Sequence, residues 1–208
     1  MSVSPNANER IHLNACLANS NQARMSLEEV RNGRLLCKNS KIYVGSWNVE
    51  HLTPLKIIEL QIIMLEKGLD VLCLQETYIS GADSYLTEEG FLIILSGGPQ
   101  GAREYAGVGF LVAPAARQHI ITFKEHTNRI ASLKIRVSGG QLCLISAYAP
   151  HGGLDFALRW SFFDVLSDFV RDSHCHGPTM GDLNSRIHRQ CFGEEFVIGK
   201  YAFANELA

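Results

Sequence analysis

The sequence predicts an α/β (α+β) fold, a two-sheet β-sandwich flanked by helices, and three observations carry that expectation. Short apolar runs closed by polar or glycine-rich stretches outnumber amphipathic helical segments. The connections mix tight glycine turns with long helical crossovers, which suits two packed sheets with helices outside. No internal repeat is visible over the 208 residues, a length that fits one ordinary domain.

In chain order, residues 1–40 are rich in Asn, Ser and charge without a sustained period, and read as a weakly structured leader. A short helix near Ser26–Arg34 is the most they offer, so the domain is expected to span 41–208. Ile42 to Trp47 reads as a buried strand ending in Asn48. Thr53-Pro54 supplies an N-cap and a first-turn proline. Leu55, Ile58, Ile62 and Leu65 then mark one helical face, and Gly68 supplies the stop. Leu69 to Leu74 is a second buried strand, leading into Gln75-Glu76-Thr77, and Phe91 to Leu95 is a third. Gly97-Gly98-Pro99-Gln100-Gly101 matches no phosphate-binding glycine pattern and reads as a hairpin connection.

Gly107 to Val112 is a strand whose glycines allow close backbone approach. From Arg129 to Val137 apolar Ile130, Leu133, Ile135 and Val137 interleave with charged Arg129, Lys134 and Arg136. Ser138-Gly139-Gly140 turns the chain into a buried strand, Leu142 to Ala147, which carries Tyr148 at its end. Phe156, Trp160, Phe163, Leu166 and Val170 predict a second helix over Asp155–Asp172, with Trp160 and its phenylalanine neighbours in the core. His174 to Pro178 is a loop before a last strand, Thr179-Met180.

A net charge of −2 gives no global electrostatic case for nucleic acid, so only a local basic groove would serve. Six cysteines without a C-x-x-C pair, two of them (Cys73 and Cys143) inside apolar runs, read as free core thiols of an intracellular protein, nuclear or cytoplasmic. No apolar run approaches the length of a membrane span. His174, Cys175, His176, His188 and Cys191 match no common zinc spacing.

The polar residues at the strand ends carry the chemistry. Asn48, Glu76, Tyr148 and Asp182 each follow an apolar run, and strands that all end in polar groups gather them at one sheet edge. Singly, each has an ordinary structural role as a cap, a solvated strand end or a turn. Together they suit hydrolysis of a phosphodiester, which needs a Lewis acid, an oriented water and donors for developing charge. Glu76 is the leading Mg²⁺ ligand, with Asn48 beside it. Asp182 suits orientation and deprotonation of the water. Asn184 and Tyr148 suit hydrogen bonds to the phosphate. Arg129 and Arg186, with His188 and Arg189, are candidates for backbone phosphates, and His151 for the substrate beside Pro150.

Ser46-Trp47-Asn48-Val49, Leu74-Gln75-Glu76-Thr77, Gly107-Val108-Gly109-Phe110, Asn128-Arg129-Ile130, Tyr148-Ala149-Pro150 and Met180-Gly181-Asp182-Leu183-Asn184 occur in that order. In this the sequence resembles the endonuclease/exonuclease/phosphatase superfamily of apurinic endonucleases and DNase I-like enzymes. Its wording looks most like the endonuclease domains of RTE-type non-LTR (LINE) retrotransposons and craniofacial development protein 2-like derivatives. The resemblance implies a DNA-binding, Mg²⁺-dependent nuclease fold, with Mn²⁺ as a substitute. It puts Asn48 and Glu76 at the metal site, with Glu50 as a second acidic neighbour. Tyr148 falls at the phosphate-contacting tyrosine, and Asp182 and Asn184 at the water-activating pair. The family closes with a final strand pair and an S-D-H sequence, and no S-D-H occurs here. The resemblance therefore implies a domain truncated at its C-terminus, without the last strands and without the Asp and His that complete the site. A superfamily phosphatase acting on another ester, and a non-catalytic remnant, stand beside the nuclease as alternatives.

Overall fold

The computed structural model describes residues 41–98, 106–172, 177–185 and 191–193. In chain order the described elements are β1 (Val44–Asn48), α1 (Pro54–Lys67), β2 (Val71–Gln75), β3 (Asp83–Leu86), β4 (Leu92–Ser96) and β5 (Val108–Val112). A 3₁₀ turn at Arg117–His119 leads to β6 (Ile120–Thr127), β7 (Ile130–Val137), β8 (Gly140–Tyr148), α2 (Phe156–Asp172) and β9 (Thr179–Asp182). The first sheet has the order β1-β2-β5-β4-β3 and the second β6-β7-β8-β9. Each contains one parallel pair made by a helical crossover, β1–α1–β2 and β8–α2–β9; the other pairs are antiparallel. The expected leader (1–40), the helix at Ser26–Arg34, the His174–His176 group, Arg186, His188 and Arg189 lie outside the described residues.

Period-two alternation sorts the strand residues into layers. Val71, Cys73, Phe110 and Val112 of the first sheet meet Ala131, Leu133, Ile135 and Leu144 of the second in the central core. The opposite faces, Leu72, Leu74, Ile93 and Leu111, pack under α1 through Leu60 and Met64. Ile130, Cys143, Ile145 and Ala147 pack under α2 through Phe162, Leu166 and Phe169. The order helix, sheet, sheet, helix is the expected sandwich. Burying each large apolar side chain contributes about 1.5–3 kcal/mol, so these three interfaces hold the layers together.

The turn chemistry of α1 follows the sequence closely. Thr53 Oγ1 accepts from Lys56 N at 3.3 Å, Pro54 opens the helix, and Gly68 closes it at φ +63°. Its buried face differs from the one expected. Leu60, Gln61 and Met64 point inward, while Leu55 and Leu65 are exposed. Apolar residues surround this helix, so a second period-3.6 stripe through Ile57, Leu60 and Met64 was equally available, and packing on the sheet selected it. β1, expected to be buried, is an edge strand with Ser46 and Trp47 turned to solvent. β3 and β6 carry little apolar alternation because both are edge strands, and sequence periodicity did not reveal them. Cys143 is disulfide-bonded, which corrects the expectation of a free thiol there. Cys73 is free and buried, and burial pushes its thiol up to about 12.

The expected core role of the first turns of α2 is also corrected. Phe156 is 68% exposed and Trp160 55%, the two rings meeting edge to face at 5.6 Å. Only from Phe162 onward does α2 settle on the sheet, through Phe162, Leu166 and Phe169. Among the described residues no helix is long and apolar enough to cross a membrane.

Candidate active site

The two crossovers decide where the polar strand ends go. Because β1 and β2 run parallel, Asn48 lies opposite Gln75; because β8 and β9 run parallel, Tyr148 lies opposite Asp182. β1 and β9 also approach each other across the sheets, so all four chain exits open on one lip of the sandwich. Residues more than a hundred positions apart meet there.

Asn48 is the bridge. Its Nδ2 donates to Glu76 Oε1 at 2.6 Å and to Asp182 Oδ2 at 3.1 Å, which sets the two carboxylates on either side of one amide. Its Oδ1 accepts from the Glu50 backbone N–H at 3.2 Å. The other Asp182 oxygen, Oδ1, accepts from Asn184 N at 2.8 Å, and Asn184 Nδ2 donates to the Ala149 carbonyl at 2.7 Å. The Asn184 side chain also lies beside the Tyr148 phenol. Arg129 lies over the Tyr148 ring, 5.0 Å from its centroid, and reaches the Tyr148 carbonyl at 3.5 Å.

Six of the expected residues, Asn48, Glu76, Tyr148, Asp182, Asn184 and Arg129, are therefore brought together. Glu50 contributes through its backbone N–H, and its own side chain is exposed. His151 is exposed and its Nδ1 accepts from Gly153 N at 3.1 Å, a local turn contact. Arg186 lies outside the described residues.

Tyr78 is the participant that sequence reasoning missed. Its hydroxyl donates to Glu76 Oε2 at 2.5 Å. The only signal was a phenol two positions after Glu76, at the end of an apolar strand.

Burial pushes the Glu76 carboxyl up, but hydrogen bonds from Tyr78, Asn48 and Tyr148 together outweigh it and hold the group below its ordinary range. Burial, then the hydrogen bond to Glu76, pushes both Tyr148 and Tyr78 up, so both phenols stay protonated and donate. A carboxyl held low in the folded chain adds stability at neutral pH that is lost as pH falls through its folded value. Glu76→Gln is therefore expected to flatten the acid side of the stability profile, read as melting temperature from neutral pH downward. Parallel profiles for the two chains would contradict this.

Backbone strain is concentrated here. Among the described residues the non-glycine positions with positive φ are Glu50, His51, Glu76, Tyr78 and Asn184, and all five belong to this lip. Such conformations cost about 1–3 kcal/mol each and persist only where the surroundings over-determine them. The restraint is visible. Val49 N bonds Gln75 O at 2.9 Å, His51 N bonds Glu76 O at 2.7 Å, and Leu52 N bonds Thr77 O at 3.0 Å. Lys56 Nζ donates to the carbonyls of Val49 and Glu50.

Beneath the lip a polar link ties the sheets. Gln75 Nε2 donates to Ser146 Oγ at 3.0 Å, and Ser146 Oγ donates to the Leu74 carbonyl at 2.9 Å. Ser46 Oγ donates to Gln75 Oε1 at 3.1 Å. Ser146→Ala leaves a buried amide and a buried carbonyl short of partners. It is expected to cost about 1–3 kcal/mol in denaturant unfolding, and a loss near zero would show that the link is solvated.

Among the described residues no group of three or more His, Cys, Asp and Glu side chains is arranged to hold a metal ion. A cation at the lip would thus meet a carboxylate pair, Glu76 and Asp182, whereas the Asn48 amide faces them with its Nδ2 donor and gives its Oδ1 to the Glu50 N–H. Mg²⁺ commonly takes one or two carboxylates and keeps several waters, so this oxygen set fits it and does not fit structural zinc.

No protein-family model matches the chain, and no curated protein matches it. Solved structures do. The 3′ phosphatase NExo from Neisseria, bound to a product DNA hairpin, superposes with a TM-score of 0.56 at 20% identity, over 75% of this chain and 63% of its own. D. rerio TDP2 complexed with a single-strand DNA product gives 0.51 at 16% identity, over 72% and 63%. TDP2 from C. elegans gives 0.50 at 16% identity, over 93% and 72%. The chain thus spans less than two thirds of the length of the first two. With these proteins it shares one fold, two mixed sheets face to face with helices outside.

Proposed function

We propose that this chain is a Mg²⁺-dependent phosphodiesterase of the endonuclease/exonuclease/phosphatase superfamily, cutting phosphodiester bonds in DNA as a retrotransposon-type endonuclease does. The observation that carries the reading is the lip itself. Two carboxylates face one carboxamide there, with protonated phenols beside them and every left-handed non-glycine residue among those described. The comparisons support it through fold: NExo and TDP2 were solved with DNA products on the same architecture.

In this reading Glu76 holds Mg²⁺ and Asn48 joins it through Oδ1 once its amide turns over, with Glu50 as an outer acidic neighbour, and Mn²⁺ substitutes. When bound, the ion supplies a Lewis acid for a phosphoryl oxygen. Asp182 orients and deprotonates the attacking water, its Oδ1 fixed by Asn184 N. The protonated Tyr148 phenol and the Asn184 carboxamide donate to the phosphate, where charge grows in the transition state. Arg129 approaches from the Tyr148 ring and meets the nucleic-acid backbone, with Arg186 and His151 as further candidate substrate contacts. An intracellular, nuclear or cytoplasmic, location goes with a DNA substrate.

A binding module without turnover is the second reading. A substrate panel separates the readings. Supercoiled plasmid, an end-labelled duplex with one abasic site, a 3′-phosphate oligonucleotide and an inositol phosphate are incubated with the chain and Mg²⁺. Nicked or shortened DNA is the expected product. Inorganic phosphate released only from the small ester would move the substrate class. DNA retained on a gel without cleavage under any metal would favour the binding module.

A further inference from the structure

The Glu76 carboxylate is held at both oxygens, by Asn48 Nδ2 on Oε1 and by the Tyr78 hydroxyl on Oε2. Tyr78 is itself braced. It sits at φ +54°, its backbone N–H bonds Ala106 O at 2.9 Å, and its ring stacks on His51 with centroids 5.9 Å apart and planes 27° from parallel. His51, at φ +82°, is tied by its N–H to the Glu76 carbonyl at 2.7 Å. Phenol and imidazole therefore form one wall along Glu76, built on left-handed backbone.

We propose that Tyr78, backed by His51, is a positioning residue that sets the metal selectivity of the site, an inference resting on the reading of Glu76 as a cation ligand. A phenol proton directed at Oε2 competes with any cation for that oxygen, as the Asn48 amide does at Oε1, and so works against a cation that needs both oxygens at once. Mg²⁺ accepts one-oxygen carboxylate ligands in a tight octahedron, whereas Ca²⁺ gains from carboxylates that give both oxygens in a larger shell. A braced hydroxyl on one oxygen thus disfavours Ca²⁺ more than Mg²⁺. Tyr78→Phe keeps the ring and the stack but frees Oε2.

The test is calorimetric titration of the full chain with Mg²⁺ and with Ca²⁺, alongside Tyr78→Phe, His51→Ala and Glu76→Gln, with melting temperatures to confirm folding. The ratio of the two affinities in Tyr78→Phe is expected to move toward Ca²⁺ by roughly three- to tenfold, the ratio one net hydrogen bond commands. His51→Ala, which keeps the backbone bond to the Glu76 carbonyl and removes only the stacked ring, is expected to move it the same way by less. A folded Tyr78→Phe chain with an unchanged ratio overturns the inference alone, provided that Glu76→Gln abolishes binding. Unsubstituted chain without saturable binding, or binding that survives Glu76→Gln, overturns the reading of the site as well.

Discussion

Asp182→Asn is expected to lower DNA cleavage by about 10²–10⁴-fold with the fold intact, the range that a positioned general base supplies. The substitution is nearly isosteric, and the carbonyl oxygen of the new side chain can still accept from Asn184 N. What it removes is the basic oxygen that takes a proton from water. It also sets an amide against the Asn48 Nδ2, which now donates to Asp182 Oδ2 at 3.1 Å. The loss should fall on the rate of a single turnover, with DNA affinity little changed, because Asp182 is assigned to the water and Arg129 to the nucleic-acid backbone. A variant that keeps more than about a tenth of the parent rate would remove Asp182 from the general-base role.

The second large effect comes from a residue that carries no chemistry. A Cβ on Gly181 would lie 1.8 Å from the Ala147 carbonyl oxygen, and the residue sits at φ +154°. That oxygen belongs to the neighbouring strand backbone, so the contact is relieved only by parting β8 from β9. Gly181→Ala is expected to destabilise by at least about 1–3 kcal/mol, the usual cost of overpacking. Activity should fall further than stability alone explains, since Asp182 and Asn184 follow directly and Ala149 N bonds Asp182 O at 2.9 Å. Unfolding midpoint and single-turnover rate, measured on the same preparation, separate the two losses. A stable and fully active Gly181→Ala chain would show that the two strands have slack that this geometry denies.

The difference between what was legible in the sequence and what was not lies in range. The ends of α1 were legible because Thr53, Pro54 and Gly68 act on backbone within one turn of themselves. The two-residue turn after Val137 was legible for the same reason, with Gly139 at φ +86°. Asn48, Glu76, Tyr148 and Asp182 were legible as a set because each follows an apolar run and their side chains together suit one chemistry. The buried face of α1 was not, since its apolar residues fit two stripes and only the sheet beneath chooses between them. β3 and β6 were hidden because an edge strand exposes most of its residues and loses the alternation that marks a strand. Phe156 and Trp160 read as core because period-3.6 spacing says which residues share a face, not how far that face stays in contact. Tyr78 escaped because its role depends on a left-handed turn after Glu76, and that turn is imposed by contacts with residues 49–52 and 106 rather than by local sequence.

The most direct measurement is the nicking of supercoiled plasmid by the unsubstituted chain across a Mg²⁺ titration, with EDTA and Glu76→Gln as paired controls. Saturable Mg²⁺-dependent nicking, abolished by EDTA and reduced by about 10²–10³-fold in Glu76→Gln, is the result expected of a metal-assisted phosphodiesterase centred on this carboxylate. Nicking of equal rate in Glu76→Gln, or none from the folded parent chain at any metal concentration, would contradict it.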